Sequence, residues 1–321
     1  MKDRNKREID YMRISITDRC NLHCRYCMPD VAEHIAHDEI LRYEEILRIC
    51  RAAVDLGIHK FKITGGEPLV RKGAISLIGS LKALPGVECV TLTTNGVLLY
   101  EALDALIQAG LDGVNISMDA VSPDVYEKIT GQNHSDEVKR ALRASVQRGL
   151  KTKINVVLLN NNKKEWIRLA SLAEKLPVDV RFIELMPVGC AGNLAGPGVD
   201  DAYAVIKQRY DDLHFSDHKR GNGPAVYFTS EQLMGSIGLI GANSHRFCDR
   251  CNRIRLTSTG EIKPCLSYEN SVDLKRLLRG GADDAQLRDA LRQAILSKPA
   301  AHCFLEKAGK NEGRPMNQIG G

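Results

Sequence analysis

The sequence predicts an α/β protein on a parallel sheet, either a partial (β/α) barrel or a doubly wound sheet. Two observations carry this. Short β-rich runs alternate with amphipathic helical stretches through the first two thirds of the 321-residue chain. Glycine stands where several of those helices should stop. Six strand–helix units of roughly thirty residues imply right-handed crossovers between parallel neighbours.

The first strand is predicted over Met12–Thr17 (MRISIT) and is followed by a cysteine-bearing loop. A helix over Ile40–Leu56 places Leu41, Ile46, Leu47, Ile49, Val54 and Leu56 at helical spacing and ends before Gly57. The second strand is Lys60–Thr64, the third Glu88–Thr93, the fourth Gly113–Met118, the fifth Lys151–Leu159 and the sixth Val180–Met186. Helices over Tyr100–Ala109, Asp136–Arg148 and Lys164–Leu176 connect them, and Gly110 and Gly149 stop the first two. In either architecture chemistry gathers beyond the C-terminal ends of the strands. The loops there read DRCNLHCRYC, TGGEP, TTNG, SMD and MP. The rhythm fails near Asp212, which divides the chain into a core over residues 5–212 and a smaller region over 213–321. The latter holds a second cysteine group, a helix over Ala285–Ser297 and a glycine-bearing tail.

Composition narrows the class. The chain is 43% hydrophobic with a formal charge of +5, ample for a large core and without the basic runs and interleaved aromatics of a nucleic-acid binder. No run of eighteen apolar residues exists, so no membrane span is expected. The charged start MKDRNKREIDYM does not read as a signal peptide, and a cytoplasmic protein is expected. There, ten cysteines are not explained by disulfides. Cys50 and Cys89 fall in apolar patterns and read as structural; Cys190 and Cys303 are undecided.

The other six form two groups of three. Cys20, Cys24 and Cys27 are spaced C-x3-C-x2-C, and Cys248, Cys251 and Cys265 are spaced C-x2-C-x13-C. Thiolates on short loops suit zinc or an iron–sulfur cluster. Zinc would need a fourth ligand, with His23 and His245 the candidates. A [4Fe–4S] cluster on three thiolates leaves one iron open for a substrate or cofactor, and the second trio suggests a second such cluster.

C-x3-C-x2-C after a first strand, with an aromatic before the last cysteine and TGGEP after the second strand, resembles the radical S-adenosylmethionine superfamily. The whole set resembles its GTP 3′,8-cyclase (MoaA-type) family: MRISITDRCNLHCRYCMP, KITGGEPLVR, LTTNG, VNISMDA, RFIELMPVG, FCDRCNRIRLTSTGEIKPCL and the terminal Gly320-Gly321. The resemblance covers essentially the full chain. It implies a partial (β/α)6 TIM-like barrel whose open side is covered by the C-terminal region. It implies two [4Fe–4S] clusters, S-adenosylmethionine bound at the first and contacted by Tyr26, Gly66, Ser117 and Met186, and GTP anchored at the second. By family position Arg13, Lys62, Thr93, Lys153, Arg253, Ile254 and Arg255 hold GTP, with Lys60 and Arg181 as weaker additions, and Gly320 and Gly321 act at the reacting centre.

The implied reaction is the first step of molybdenum cofactor biosynthesis. A deoxyadenosyl radical takes hydrogen from C3′ of GTP, and C3′ adds to C8 to give 3′,8-cyclo-7,8-dihydro-GTP. Its partners would be an electron donor and the downstream cyclic pyranopterin monophosphate synthase; a homodimer is compatible. Neither a Walker A sequence nor GxGxxG occurs, so GTP would be held by side chains. Two departures stand out: Lys62, a point charge where arginine is expected, and GCAGNLAGPG after Met186-Pro187, which lacks an expected tryptophan. The competing readings are another two-cluster radical enzyme, such as a peptide-modifying maturase, and a zinc-bearing binding module.

Overall fold

The computed structural model describes residues 1–29, 34–218, 220–304 and 312–320. The six expected strands form as β1 (Tyr11–Ser15), β2 (Lys60–Thr64), β3 (Cys89–Thr94), β4 (Gly113–Ser117), β5 (Lys151–Leu158) and β6 (Asp179–Glu184). They lie side by side in chain order, every pair parallel. Strict order decides between the two architectures. A doubly wound sheet reverses its order at a switch point. Right-handed crossovers without reversal keep every helix on one face and curl the sheet, so this is a partial barrel.

The connections are α1 (Tyr43–Asp55), α2 (Ala74–Lys82), α3 (Leu99–Gln108), α4 (Pro123–Thr130), α5 (Ser135–Gln147), α6 (Trp166–Ala170) and α7 (Leu172–Lys175). Gly57, Gly110 and Gly149 take the left-handed conformation at helix ends, with φ of 87°, 82° and 73°. The single helix expected over Lys164–Leu176 is broken. A 3-10 turn at Asn160–Glu165 precedes α6, and Ser171 separates α6 from α7, its hydroxyl turned back onto the Arg168 carbonyl at 2.9 Å.

After α8 (Val199–Arg209) come β7 (His214–Ser216), β8 (Val226–Thr229), β9 (Ser236–Ile240), β10 (Arg253–Leu256), β11 (Glu261–Lys263) and β12 (Val272–Asp273), then α9 (Leu274–Arg279), α10 (Asp284–Leu296) and α11 (Met316–Ile319). These strands extend the same sheet. β9 pairs parallel with β6 and β10 parallel with β1, while β8–β7 and β11–β12 add antiparallel margins. The segment 241–252 therefore runs across the open side, from the β6 edge to the β1 edge.

Side chains alternate between the faces of each strand. Met12, Ile14, Phe61, Ile63, Val90, Leu92, Val114, Ile116, Ile154, Val156, Val180, Phe182, Ile254 and Leu256 point outward into the core beneath the helices. Each such buried side chain contributes roughly 1.5–3 kcal/mol. The opposite parity points inward and is polar: Arg13, Lys62, Thr91, Thr93, Asn115, Lys153, Asn155, Arg181, Arg253 and Arg255. Eight-stranded barrels usually fill this space with branched apolar side chains. Here it is a cavity of about 700 Å³.

Candidate active site

Cys20, Cys24 and Cys27 lie on the loop after β1 and line one end of the cavity, none of them in a disulfide. The Leu22 N–H and the Asn95 amide donate to the Cys20 sulfur at 3.4 and 3.7 Å. Burial pushes the Cys24 thiol well up, and the charges of Cys27, Asp119 and Cys20 push it further. Burial, then Cys20 and Cys190, push Cys27 to about 12. Partly buried thiols whose charges oppose one another's ionisation are held together as thiolates by a shared cation, which an iron–sulfur cluster supplies. Among the described residues no three His, Cys, Asp or Glu side chains converge on one ion-sized point. The thiolates of a cluster each hold a different iron and stand farther apart than the ligands of one ion. The two histidines considered for zinc have other partners: His23 Nε2 lies 2.7 Å from the Pro29 carbonyl, and His245 Nε2 lies 2.9 Å from Asp200.

TGGEP packs directly on this loop. The Gly66 N–H donates to the Thr17 carbonyl at 2.7 Å and the Glu67 N–H to the Arg19 carbonyl at 2.8 Å. A Cβ on Gly66 would stand 2.4 Å from the Arg19 carbonyl oxygen. Gly66 is an expected cofactor contact, and the ligand loop itself fills the space a side chain there would need. Glu67, fully buried, accepts from the Leu69 N–H, the Thr94 hydroxyl and the Asn95 N–H at 3.0, 2.8 and 2.7 Å, while burial lifts its pKa to about 7. It ties three loops of this end together, a role its motif alone did not reveal.

Tyr26, Gly66, Ser117 and Met186 all line the cavity beside these cysteines. The Tyr26 hydroxyl donates to Asp119 at 2.7 Å, and Asp119 also accepts from the Val157 N–H at 2.7 Å. Burial nonetheless raises Asp119 to about 6.

The second cysteine group sits at the other end of the strands. Cys251 immediately precedes β10, whose Arg253 is level with Tyr11 at the start of β1. Cys265 follows β11, which runs antiparallel to β10 and returns to the same level. Burial acts to raise the Cys251 thiol, but the charges of Arg253 and Lys298 win and hold it at about 7. Of the remaining cysteines, Cys50 is fully buried in the core as expected, and Cys303 is buried against Ser267. Cys89, expected to be buried, is instead on the inner face of β3 and lines the cavity.

Cations line the space between. Register sets Arg255, Arg13 and Lys62 in one row across β10, β1 and β2. Burial, then Arg181, Arg13 and Lys153, pull the Lys62 ammonium well below its usual range. Burial, then Arg13 and Arg253, lower Arg255 to about 9. The Nε atoms of Arg181 and Arg253 and the Thr93 hydroxyl are buried without a hydrogen-bond partner. Lys153 pairs with Asp179 at 2.8 Å, which also holds Arg220 at 3.1 Å. Desolvated, mutually repelling cations of this kind call for a polyanion. Two candidates differ in placement. The Ile254 side chain is in the outer core and does not line the cavity, and Lys60 pairs with Asp10 at 2.5 Å outside the cavity lining.

The tail reaches the same region. The Met316 N–H donates to the Cys27 carbonyl at 3.2 Å, the Asn317 amide to the Asp18 carbonyl at 2.9 Å, and Arg255 to the Gly320 carbonyl at 2.5 Å. Gly320 has φ of 82°, and a Cβ there would stand 2.8 Å from the Ser15 Cβ. Gly321 lies outside the described residues. Among the described residues no helix is long and apolar enough to cross a membrane.

Comparison with known proteins agrees with this geometry. Residues 14–173 match the radical SAM superfamily model, and residues 178–304 match the Molybdenum Cofactor Synthesis C model. The GTP 3′,8-cyclase of Clostridium perfringens (strain SM101 / Type A) is 41% identical over 323 residues, spanning 100% of both chains. That of Moorella thermoacetica is 42% identical over 326 residues, again 100% of both. Streptococcus suis SuiB bound to S-adenosylmethionine shares the fold, with a TM-score of 0.64 and 16% identity over 97% of this chain and 77% of that one. The chain thus binds S-adenosylmethionine and an iron–sulfur cluster, and it belongs to the GTP 3′,8-cyclase family of radical SAM enzymes, which begins molybdenum cofactor biosynthesis.

Proposed function

We propose that the chain converts GTP to 3′,8-cyclo-7,8-dihydro-GTP using two [4Fe–4S] clusters, one on Cys20, Cys24 and Cys27 and one on Cys248, Cys251 and Cys265. The observation that carries this is a cationic interior lined by Cys20, Cys24 and Cys27 beyond one end of β1, while register brings Cys251 and Cys265 to the level of its other end. The five residues of β1 separate those ends by about 13 Å, so two ligands can lie between them. When bound, the first cluster and S-adenosylmethionine supply a radical able to remove hydrogen from an unactivated C–H bond.

The protein's own part is holding and orienting. Tyr26, Gly66, Ser117 and Met186 seat S-adenosylmethionine. Arg13, Lys62, Lys153, Arg253 and Arg255 take the triphosphate, with Thr93 and the Ile254 backbone beside them. For Lys153 this means sharing its ammonium between phosphate and Asp179. Arg255 joins the triphosphate to the Gly320 carbonyl, so the tail with Gly320 and Gly321 fixes the ribose near the reacting carbon. An electron donor and a downstream cyclic pyranopterin monophosphate synthase complete the reaction sequence in the cytoplasm, and a homodimer is compatible with this reading.

The test is anaerobic incubation with reductant, S-adenosylmethionine and GTP, followed by product analysis and iron determination. Cyclised nucleotide with about eight irons per chain is expected. S-adenosylmethionine cleavage without any cyclised nucleotide would defeat the assignment.

A further inference from the structure

Lys298 follows α10 and is 4% exposed. Its ammonium donates to the carbonyls of Arg253 at 2.8 Å and Pro264 at 2.6 Å. Arg253 is two residues after Cys251, and Pro264 immediately precedes Cys265. Among the described residues no carboxylate pairs with Lys298. A buried cation without an anion is strongly disfavoured, and the anion at hand is the cysteine group.

The segment 298–302 wraps this group. The His302 N–H donates to the Cys248 sulfur at 3.4 Å, and the Ser267 hydroxyl lies 3.4 Å from the Cys265 sulfur. Cys248 and Cys265 thus each have a polar partner at sulfur, and Lys298 lies between the loops that carry Cys251 and Cys265. Arg7, buried and paired with Asp3 at 2.6 Å, clamps the segment. Its guanidinium donates to the carbonyls of Cys248, Ala300 and Pro299 at 2.8, 3.1 and 2.7 Å. The first group is different. Carboxylates stand beside it: the hydroxyl of Tyr26, the residue before Cys27, donates to Asp119 at 2.7 Å, and Asn95, whose amide donates to the Cys20 sulfur, donates its backbone N–H to Glu67 at 2.7 Å.

We propose that Lys298 is the counter-cation of the second iron–sulfur cluster, raising its reduction potential and fixing the spacing of its ligand loops. This rests on the two-cluster reading above. A cluster on three thiolates is anionic, and reduction adds one more negative charge. A fixed cation held between the ligand loops, beside the ligand sulfurs, favours the reduced form.

The experiment is potentiometric titration of the anaerobically reconstituted full chain, followed by electron paramagnetic resonance, with Lys298→Gln, Lys298→Met and Lys298→Arg. Each is repeated in a Cys24→Ser background to isolate the second cluster's signal. Gln and Met should make the second cluster at least tenfold harder to reduce at a given potential, about 59 mV for one electron. Arg should restore most of this, and the first cluster should not shift. Loss of second-site iron in Gln but not in Arg would support the same role, because charge is what separates them. A Gln variant that keeps its iron and titrates within threefold of wild type overturns the proposal, as does equal iron loss in Arg and Gln. A wild-type chain with about four irons, none lost in Cys251→Ser, overturns the two-cluster reading instead.

Discussion

Replacing Gly320 by alanine tests whether the docked tail is needed for turnover. Two penalties arise at once. The backbone is left-handed at φ of 82°, which costs an L residue roughly 1–2 kcal/mol. The new Cβ would stand 2.8 Å from the Ser15 Cβ, on a strand residue only 1% exposed; overpacking of this kind costs typically 1–3 kcal/mol. Together they reach on the order of 2–5 kcal/mol. Against that, Gly320 is held by the Arg255 contact to its carbonyl, a charged hydrogen bond of about 1.5–3 kcal/mol. The penalty matches or exceeds this hold, so Gly320 should leave Arg255 while α11, anchored through Met316, Asn317 and the buried Ile319, and the body stay folded. Iron content and thermal midpoint should stay near wild type. Cyclised product should fall about a hundredfold, the scale of a small misplacement in a positioned reaction, with deoxyadenosine still released. Adding Ser15→Gly removes the clash but not the backbone strain and should restore part of the loss. Wild-type product formation by Gly320→Ala with full iron would refute the reasoning.

Other expectations follow from the same geometry. Cys24→Ser should remove the first cluster and abolish S-adenosylmethionine cleavage, while Cys251→Ser should spare it and mainly damage GTP binding; equal iron loss from both sites in each variant would end that division. Arg253→Ala and Arg255→Ala should each weaken GTP binding by about 1.5–3 kcal/mol and leave S-adenosylmethionine binding unchanged by calorimetry; a change in GTP affinity below twofold in both would contradict the cation assignment. Glu312 is buried with Lys263, and although burial acts to raise its pKa, hydrogen bonds from Arg314 and Lys263 hold it below the ordinary 4.5. A depressed acid stabilises the fold above its unfolded pKa and loses that contribution as pH falls through the folded value. Glu312→Gln should therefore lose stability relative to wild type at neutral pH, and the gap should narrow below pH 4.5; a gap independent of pH in thermal unfolding would exclude this ionic anchor.

The barrel was legible because each strand carries its own two-sided pattern. In KFKIT the apolar residues fall on one parity and the polar ones on the other, and KTKINVVL follows the same alternation except at Thr152 and Val157, which is enough to separate core from cavity. The ligand loops were legible through cysteine spacing. What stayed hidden was non-local. Nothing in SIGLI or RIRL reveals that they pair with β6 and β1, 57 and 242 residues away by the register Asp179↔Ser236 and Tyr11↔Arg253, because short runs fit many partners. Ile254 matched a family position while its side chain obeyed the strand alternation and turned to the core. Lys298 gave no signal at all, since two of its acceptors are backbone carbonyls, which every residue possesses.

The pairing of β10 with β1 has a consequence for how the protein is made. The edge of β1 that β10 will cover emerges early, and its partner at 253–256 is translated some 240 residues later by the register Tyr11↔Arg253. At 5–20 residues per second that interval is on the order of 12–48 s. For that time the nascent chain carries an uncovered parallel edge, a template for pairing with other chains. A ribosome that stops before β10 releases a sheet with this margin unpaired, and such fragments should aggregate or bind chaperones where the full-length product does not.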